Sequence, residues 1–270
     1  MNPQEIRERY TRVIEANAPH ENARNWRVGR FERGLRMAKE IESRVGSLKG
    51  LRVLDVGAAH GGDICAMYAH GARCVGADMF DHDYEQLARA MNELNGCGAS
   101  TPSDANLRFA RFNALTRWPI QSQSFDVVIS LGVLEIVEDL DLFFSEMARV
   151  LAPAGIAVVY TGTAFRMVRR DALYKLPFIS LLPVQLRKLV AEKVFKRRYR
   201  FPVSNHTFYS ASTIGKHARK HGLDVSPQKY ARSDLMKRIA AWPMGSKVQD
   251  MVRHLAFDFV VVTQRQPVDV

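Results

Sequence analysis

Residues 51–62, LRVLDVGAAHGG, constrain this chain more than any other stretch. An apolar run ends in Asp55 and breaks into Gly57-Ala58-Ala59-His60-Gly61-Gly62, and a helix-like segment follows with Asp63, Ile64, Ala66 and Met67. The pattern predicts a strand, a tight turn and a helix, joined by small residues. Small residues let a ligand touch the backbone, and the first turn of a helix offers free N–H donors. A nucleotide-like ligand is the functional reading of such a junction. A plain tight turn is the structural one, and the junction alone leaves both open.

Strands and helices alternate around that junction. Strand candidates are 51–56, 72–77, 107–112, 125–131, 155–161 and 257–264. The first, fourth and fifth are near-continuous apolar runs, as expected of strands covered on both faces. Helices are predicted over 63–70, 82–95 (closed by Gly96) and 139–151 (closed by Pro153 and Gly155). The alternation argues for an α/β fold with a doubly wound parallel sheet. Ahead of it, Ile6, Tyr10, Val13 and Ile14 mark one helical stripe, and Val28, Phe31, Leu35, Ala38, Ile41 and Val45 mark a second, ending at Gly46. Residues 96–105 read as a surface loop. After 161 the order breaks: 164–203 is basic, helix-prone and punctuated by Pro177, Pro183 and Pro202. A helix over 211–221, a strand over 224–231 and a helical stretch over 233–256 precede the last strand.

The chain carries a net charge of +11 over 270 residues, unevenly spread. Residues 165–200 hold eleven lysines and arginines against Asp171 and Glu192, so most of the surplus sits in one segment. Cys65, Cys74 and Cys97 show no C-x-x-C spacing, which fits free thiols in a reducing compartment rather than a metal or redox site. The start MNPQEIRERY has no apolar signal core, and no run of about 18 apolar residues occurs, so a cytoplasmic location is expected.

Two cofactor classes compete for a small-residue turn after a first strand. The dinucleotide fingerprint G-x-G-x-x-G is met here as Gly57-x-Ala59-x-x-Gly62, without the second glycine. Asp78 ends the second strand about 20 residues further on. Its carboxylate can accept both hydroxyls of a ribose, and it suits either class.

The downstream segment SFDVVISLGVLEIVEDLDLFFSEMARVLAPAGIAVVY, residues 124–160, discriminates. With VLDVGAAHGG it resembles the class I S-adenosylmethionine-dependent methyltransferases, the small-molecule branch in particular. That branch shows a D-x-G-x-G-x-G turn, an acid after strand two, an FD-strand, a VLEH segment and an RVLKPGG-strand. The resemblance covers 51–163 and continues weakly through NHTFYSASTIGKHARKHGLDV, residues 205–225. It implies a Rossmann-like, mostly parallel seven-stranded sheet with a helical basic insertion after the fifth strand. It further implies one methyltransferase domain over 1–270: N-terminal helices to 47, a cofactor-binding core over 48–163, a basic lid over 164–203, and the rest of the sheet over 204–270.

Carried over position by position, the resemblance places Asp55, Gly57, Ala59 and Gly61, with Ala58 between them, as the floor under the methionine part of S-adenosyl-L-methionine. Asp78 would hold the ribose and Met79 would pack on the adenine. Asn113 stands where an acid receives the adenine amino group, and its amide oxygen can still accept that bond. The Ala114 N–H would meet a ring nitrogen, and Leu131 would lie beside the methyl donor. Ala59 replaces a glycine, which a backbone with negative φ would tolerate, and Ile136 replaces the histidine of VLEH.

Other residues have plainer readings beside these. Asp55 would bond the backbone of its own turn, and Asp78 would cap the next helix. Glu135, Glu138 and Asp139 fit acids at a helix N-terminus better than catalytic groups. His60 faces either solvent or substrate, Tyr209 is core or site, and His20, His217 and His221 are surface residues.

A sulfonium methyl is already activated, so proximity and orientation carry most of the catalysis expected, roughly 7–11 kcal/mol. A general base would add about 10²–10⁴-fold for a hydroxyl acceptor. His206 is the first candidate for that base and His60 the second. The insertion 164–203 has three readings: a solvated lid, an approach to an anionic acceptor or membrane surface, or a track for a phosphate backbone. Without an RNA-binding module, a small-molecule, glycan or lipid-linked acceptor, methylated at oxygen, is favoured over nucleic acid. The alternatives are an RNA-directed methyltransferase, a non-catalytic cofactor-binding scaffold and a nicotinamide-dependent dehydrogenase.

Overall fold

A computed structural model describes residues 2–94, 106–161, 176, 178–179, 182–196, 209, 211–231 and 257–264, with backbone alone at 184–185, 211–212, 225–231 and 257–264. The first helices are α1, Pro3–Asn17, and α2, Glu21–Val45. The alternating part follows as β1 Arg52–Val56, α3 Gly62–Ala69, β2 Arg73–Asp78, α4 Tyr84–Glu93, β3 Leu107–Arg111, β4 Phe125–Leu131, α5 Leu140–Val150 and β5 Leu151–Tyr160. Further on lie α6 Val184–Leu189, α7 Ala211–Lys220, β6 Leu223–Ala231 and β7 Phe257–Gln264.

Strands β1 to β5 pair in parallel, with β3, β2, β1, β4 and β5 side by side. β7 joins β5 antiparallel and β6 joins β7 antiparallel, so the sheet order is β3-β2-β1-β4-β5-β7-β6. The chain starts in the middle of the sheet and winds outward to both edges. β1 and β4 are therefore neighbours whose connections leave in opposite directions, and their carboxyl ends open a crevice.

Two apolar layers cover the sheet. On one face Ile6, Tyr10 and Ile14 of α1 and Phe31, Met37, Ala38 and Ile41 of α2 pack with α3 and with Val53, Val127 and Ile129. On the other, Phe143, Phe144 and Met147 of α5 and Ile214 and Ala218 of α7 pack against Leu54, Val128, Ala157 and Trp118. Every residue of α3 is buried, and its one charged side chain, Asp63, is paired with Arg30 and Arg33 of α2. Gly34 lets α2 approach α3 closely: a Cβ there would stand 2.7 Å from that of Ala66 and 2.8 Å from the Asp63 Cα.

The structure moves some predicted boundaries. α5 stops at Val150 and β5 begins at Leu151, running through Pro153 and Gly155 instead of being preceded by them. The extra residues are absorbed by a register shift between Phe125 and Val127 and a left-handed Ala154 (φ 62°). Asp139 caps α5, accepting from the Leu142 N–H at 2.9 Å, as its position before that helix implies. Tyr209 is tied into the core by its hydroxyl, which donates to the Val137 carbonyl at 2.6 Å. His20 caps α2 through Nδ1, accepting from the Ala23 N–H. His217 and His221 both face Asp141 on α5. Cys65 and Cys74 are free and buried. The predicted loop 96–105, Cys97, the helix over 233–256, His206 and most of the insertion lie outside the described residues. The described part of 164–203 includes α6 and a π-helical turn, Val190–Val194.

Candidate active site

A crevice of about 720 Å³ opens at the carboxyl ends of β1, β2 and β4. Gly57 and Ala59 line it from the turn after β1, Asp78 and Met79 from the end of β2, Asn113 and Ala114 from after β3, and Leu131 and Val133 from the end of β4. These segments are distant in sequence and converge because parallel strands end on one side of a sheet. His60 also lines the crevice and is half-buried.

Gly57 adopts φ 83° and lies under Val133: a Cβ at Gly57 would stand 2.0 Å from the valine Cγ2. Only glycine satisfies both conditions. Ala59 was expected to keep negative φ, and it does not. Its φ is 47°, left-handed like Gly57 and Gly61 around it. Two bonds hold it there: its N–H donates to Asp78 Oδ2 at 2.9 Å, and its carbonyl accepts from the Tyr84 hydroxyl at 2.6 Å.

Asp78 faces the crevice and is no helix cap. Its Oδ1 accepts from the Phe80 N–H at 3.1 Å, and His82 Nε2 stands 3.8 Å away. Burial pushes this carboxyl up, but the His82 imidazole and the Phe80 and Ala59 N–H groups outweigh it and hold Asp78 below the usual carboxylate range. Asp78 is thus a charged acceptor with room on each oxygen, suited to a pair of hydroxyls.

Asp55 was read as bonding its own turn, and the structure corrects that. It is fully buried, and neither carboxylate oxygen has a hydrogen-bond partner. Burial and then the charge of Asp63 drive its carboxyl upward, against the pull of Arg30 and Arg33. Asp55 does not itself line the crevice, and neither do Ala58 or Gly61. The last two shape the turn: Ala58 N–H donates to the Ala77 carbonyl at 2.9 Å, and Gly61 is the left-handed cap of α3. Glu135 is another correction. It belongs to a 3-10 turn, Leu134–Ile136, rather than to α5, and lines the crevice while only 4% exposed.

Sequence reasoning missed one wall entirely. Trp26, Arg27 and Arg30 of α2 close the crevice. Arg30 Nε bonds the buried Asp63 at 3.0 Å, Arg33 Nε bonds its other oxygen at 2.9 Å, and the Arg30 guanidinium lies 5.1 Å from the Trp26 ring centroid. Arg30 Nη2 is buried with no partner. The signal in the sequence was Arg30 and Arg33 on a helix whose charged side should have been solvated. His82 was missed as well, and it carries no motif.

The crevice lining suits a ligand with several polar groups. Arg30 lines it and has a donor free for a carboxylate, and Asp55, buried beneath the turn, holds two oxygens without hydrogen-bond partners. Asp78 takes a diol, and Met79, Phe112 and Leu115 offer an apolar slot for a flat ring. Asn113 has one acceptor position already used, since its Oδ1 takes the Leu115 N–H at 2.9 Å. An α-amino acid joined to a nucleoside has these groups, so the residues present fit S-adenosylmethionine.

Comparison with known proteins agrees. A family model described as a methyltransferase domain matches residues 54–159. Over 132 residues the chain is 34% identical to a ubiquinone biosynthesis O-methyltransferase of Chelativorans sp. (strain BNC1), covering 48% of this chain and 45% of that protein. It is 31% identical over 138 residues to the protein of the same name from Mesorhizobium japonicum, covering 50% and 47%. The chain therefore spans about half the length of the curated relatives it matches. Among solved structures, an S-adenosylmethionine dependent methyltransferase from Mesorhizobium loti superposes with a TM-score of 0.51 at 21% identity, over 81% of this chain and 93% of that one. Geranyl diphosphate C-methyltransferase from Streptomyces coelicolor A3(2) does so with a TM-score of 0.51 at 15% identity, over 85% and 76%. At these identities the structural likeness speaks for the fold alone.

Proposed function

We propose that residues 54–159, which match the model of a methyltransferase domain, form a class I S-adenosylmethionine-dependent methyltransferase domain, and that the chain transfers a methyl group to a small-molecule acceptor, at oxygen. The observation that carries this reading is Asp78, a charged carboxylate aimed into the crevice and held by two backbone N–H groups. When bound, S-adenosylmethionine supplies an activated methyl group on a sulfonium.

The chain's own residues bind and orient. Asp78 accepts the ribose hydroxyls. Met79 and Ala114 flank the adenine, with Asn113 at its edge. Gly57 and Ala59 form the floor of the methionine part, Arg30 donates to its carboxylate, and the bound ammonium would draw the buried Asp55 below the turn into its charged form. Leu131 and Val133 exclude water beside the methyl group, so that a bound nucleophile meets it in line.

We take His60 as a candidate to accept the acceptor's proton, because it lines the crevice. Burial first, and then the charges of His82, Arg27 and Arg30, lower its pKa to about 3, so the ring is neutral at pH 7 and free to accept. His206 keeps its place as the other candidate base. Oxygen as the methylated atom is supported by the relatives, which are named O-methyltransferases.

A membrane-facing acceptor is favoured by a specific feature. Leu186, Leu189, Val194 and Phe195 are 45–67% exposed along α6 and at its π-helical turn, and Phe178, ahead of α6 in the chain, is 55% exposed. Lys188, Lys193 and Lys196 are exposed beside them. Apolar side chains rimmed by lysines suit the headgroup layer of an anionic bilayer, and a lipid-linked acceptor would be met there. Among the described residues no helix is long and apolar enough to cross a membrane.

Calorimetry with S-adenosylhomocysteine tests the cofactor, and transfer of labelled methyl from S-adenosylmethionine into a lipid extract and an aqueous extract tests the acceptor. Absence of binding and of transfer ends the reading. Sedimentation with anionic and zwitterionic vesicles, at low and high salt, tests the surface.

A further inference from the structure

A histidine pair stands beside Asp78. The His60 and His82 rings are 4.4 Å apart between centroids and meet edge-on at 66°, and both line the crevice. His82 Nε2 is 3.8 Å from Asp78 Oδ1, too far for a hydrogen bond and close enough for an ion pair.

We propose that His82 is a positioning residue that, when protonated, competes with the cofactor's ribose for Asp78, so that acid releases the cofactor. The proposal rests on Asp78 being the ribose carboxylate.

The competition follows from counting acceptor positions. A carboxylate offers about four. The Phe80 N–H occupies one on Oδ1 and the Ala59 N–H occupies one on Oδ2. The two that remain match a vicinal diol. A neutral His82 leaves both open at its present distance. An imidazolium donates from both ring nitrogens, and its charge would draw it onto Oδ1, where it would displace a ribose hydroxyl.

The charged and titratable groups around the pair lie on several elements. Asp78 on β2 faces it with a negative charge. His60, on the turn after β1, is kept neutral by burial and by the charges of His82, Arg27 and Arg30. Two charged imidazoles at this separation would repel. Tyr84, at the start of α4, has its ring 5.7 Å from that of His82 and stays a neutral phenol, pushed up by burial and then by the charges of Asp78 and Asp55, with a smaller push from Asp81.

The test is calorimetric binding of S-adenosylhomocysteine to the full chain from about pH 8 to about pH 5.5, the interval in which imidazoles change charge. The wild type is expected to lose about tenfold in affinity toward acid, the worth of one charge-assisted bond. Each profile is read against its own affinity near pH 8: His82→Gln is expected to lose clearly less toward acid than the wild type, keeping only the part that the protonation of Asp55 contributes. His82→Lys, which carries a fixed charge, is expected to bind weakly throughout. A flat wild-type profile, or a His82→Gln profile as steep as the wild type's, overturns the proposal while leaving cofactor binding intact. No binding by the wild type near pH 8 overturns the cofactor reading, and the proposal with it.

Discussion

The Ala59 N–H donates to Asp78 Oδ2 at 2.9 Å, so the carboxylate that ends β2 also holds the turn that follows β1. One side chain thereby sets the shape of the crevice floor and presents charge to whatever lies on it. Asp78→Asn keeps the size and loses the charge. Cofactor affinity is expected to fall about 10–100-fold, the range for losing a hydrogen bond to a charged group. Calorimetry checks it, and an unchanged affinity would detach Asp78 from the ribose.

Ala59 pays for its position in backbone strain, since a left-handed residue with a Cβ costs about 1–2 kcal/mol. Glycine would remove that strain and add about 0.4–1 kcal/mol of unfolded-state entropy. Ala59→Gly is therefore expected to stabilise the chain by about 0.5 kcal/mol. Ala59→Val should destabilise it. Urea melts of the two variants must move in opposite directions.

Asp63 is fully buried between Arg30 and Arg33. Asp63→Asn leaves two guanidinium groups without their counter-charge, and breaking a buried ion pair of this kind costs about 3–5 kcal/mol. The loss should appear as a markedly lower denaturation midpoint. A midpoint within error of the wild type would show that the arginines find other partners.

Asp55 behaves in the opposite sense. Its folded pKa lies above the unfolded value, so whatever it contributes is favourable in acid and is lost as pH rises through the folded pKa. Asp55→Asn has no such dependence. The variant is expected to be more stable than the wild type near pH 8, with the gap closing toward about pH 4, where the unfolded carboxyl protonates. The same variant should bind S-adenosylhomocysteine more weakly, because the ammonium loses its counter-charge. Paired melts at the two pH values and one titration decide both halves.

His60 is expected to be neutral throughout the working range. His60→Gln should lower methyl transfer by about 10²–10⁴-fold, with cofactor affinity nearly unchanged, if it is the base for an oxygen acceptor. Single-turnover rates with S-adenosylmethionine and the identified acceptor give the answer. An unaltered rate would pass the role to His206 or to none.

Much of the scaffold was legible in the chain because its signals are local. Apolar runs at 51–56 and 125–131 became β1 and β4 almost residue for residue, since a strand covered on both faces tolerates nothing else. Asp78 was legible because a strand-end acid faces the crevice its strand helps to open. Pro153 and Gly155 misled: they usually close a helix, yet here they lie within β5, where a register shift absorbs them. Ala59 misled because a side chain normally signals negative φ, and the bonds that override this preference come from Asp78 and Tyr84, 19 and 25 residues away.

The sequence by itself determined the order of strands and helices, the small-residue turn and the acid that follows the second strand, because each depends on neighbours within one element. Only the tertiary structure decided that α2 walls the crevice with Trp26 and Arg30, that Asp55 is buried without a partner, and that His82 stands beside Asp78. Those facts depend on where separate elements meet. Burial and charge act through space rather than along the chain, so residues with no motif of their own set the chemistry of the site.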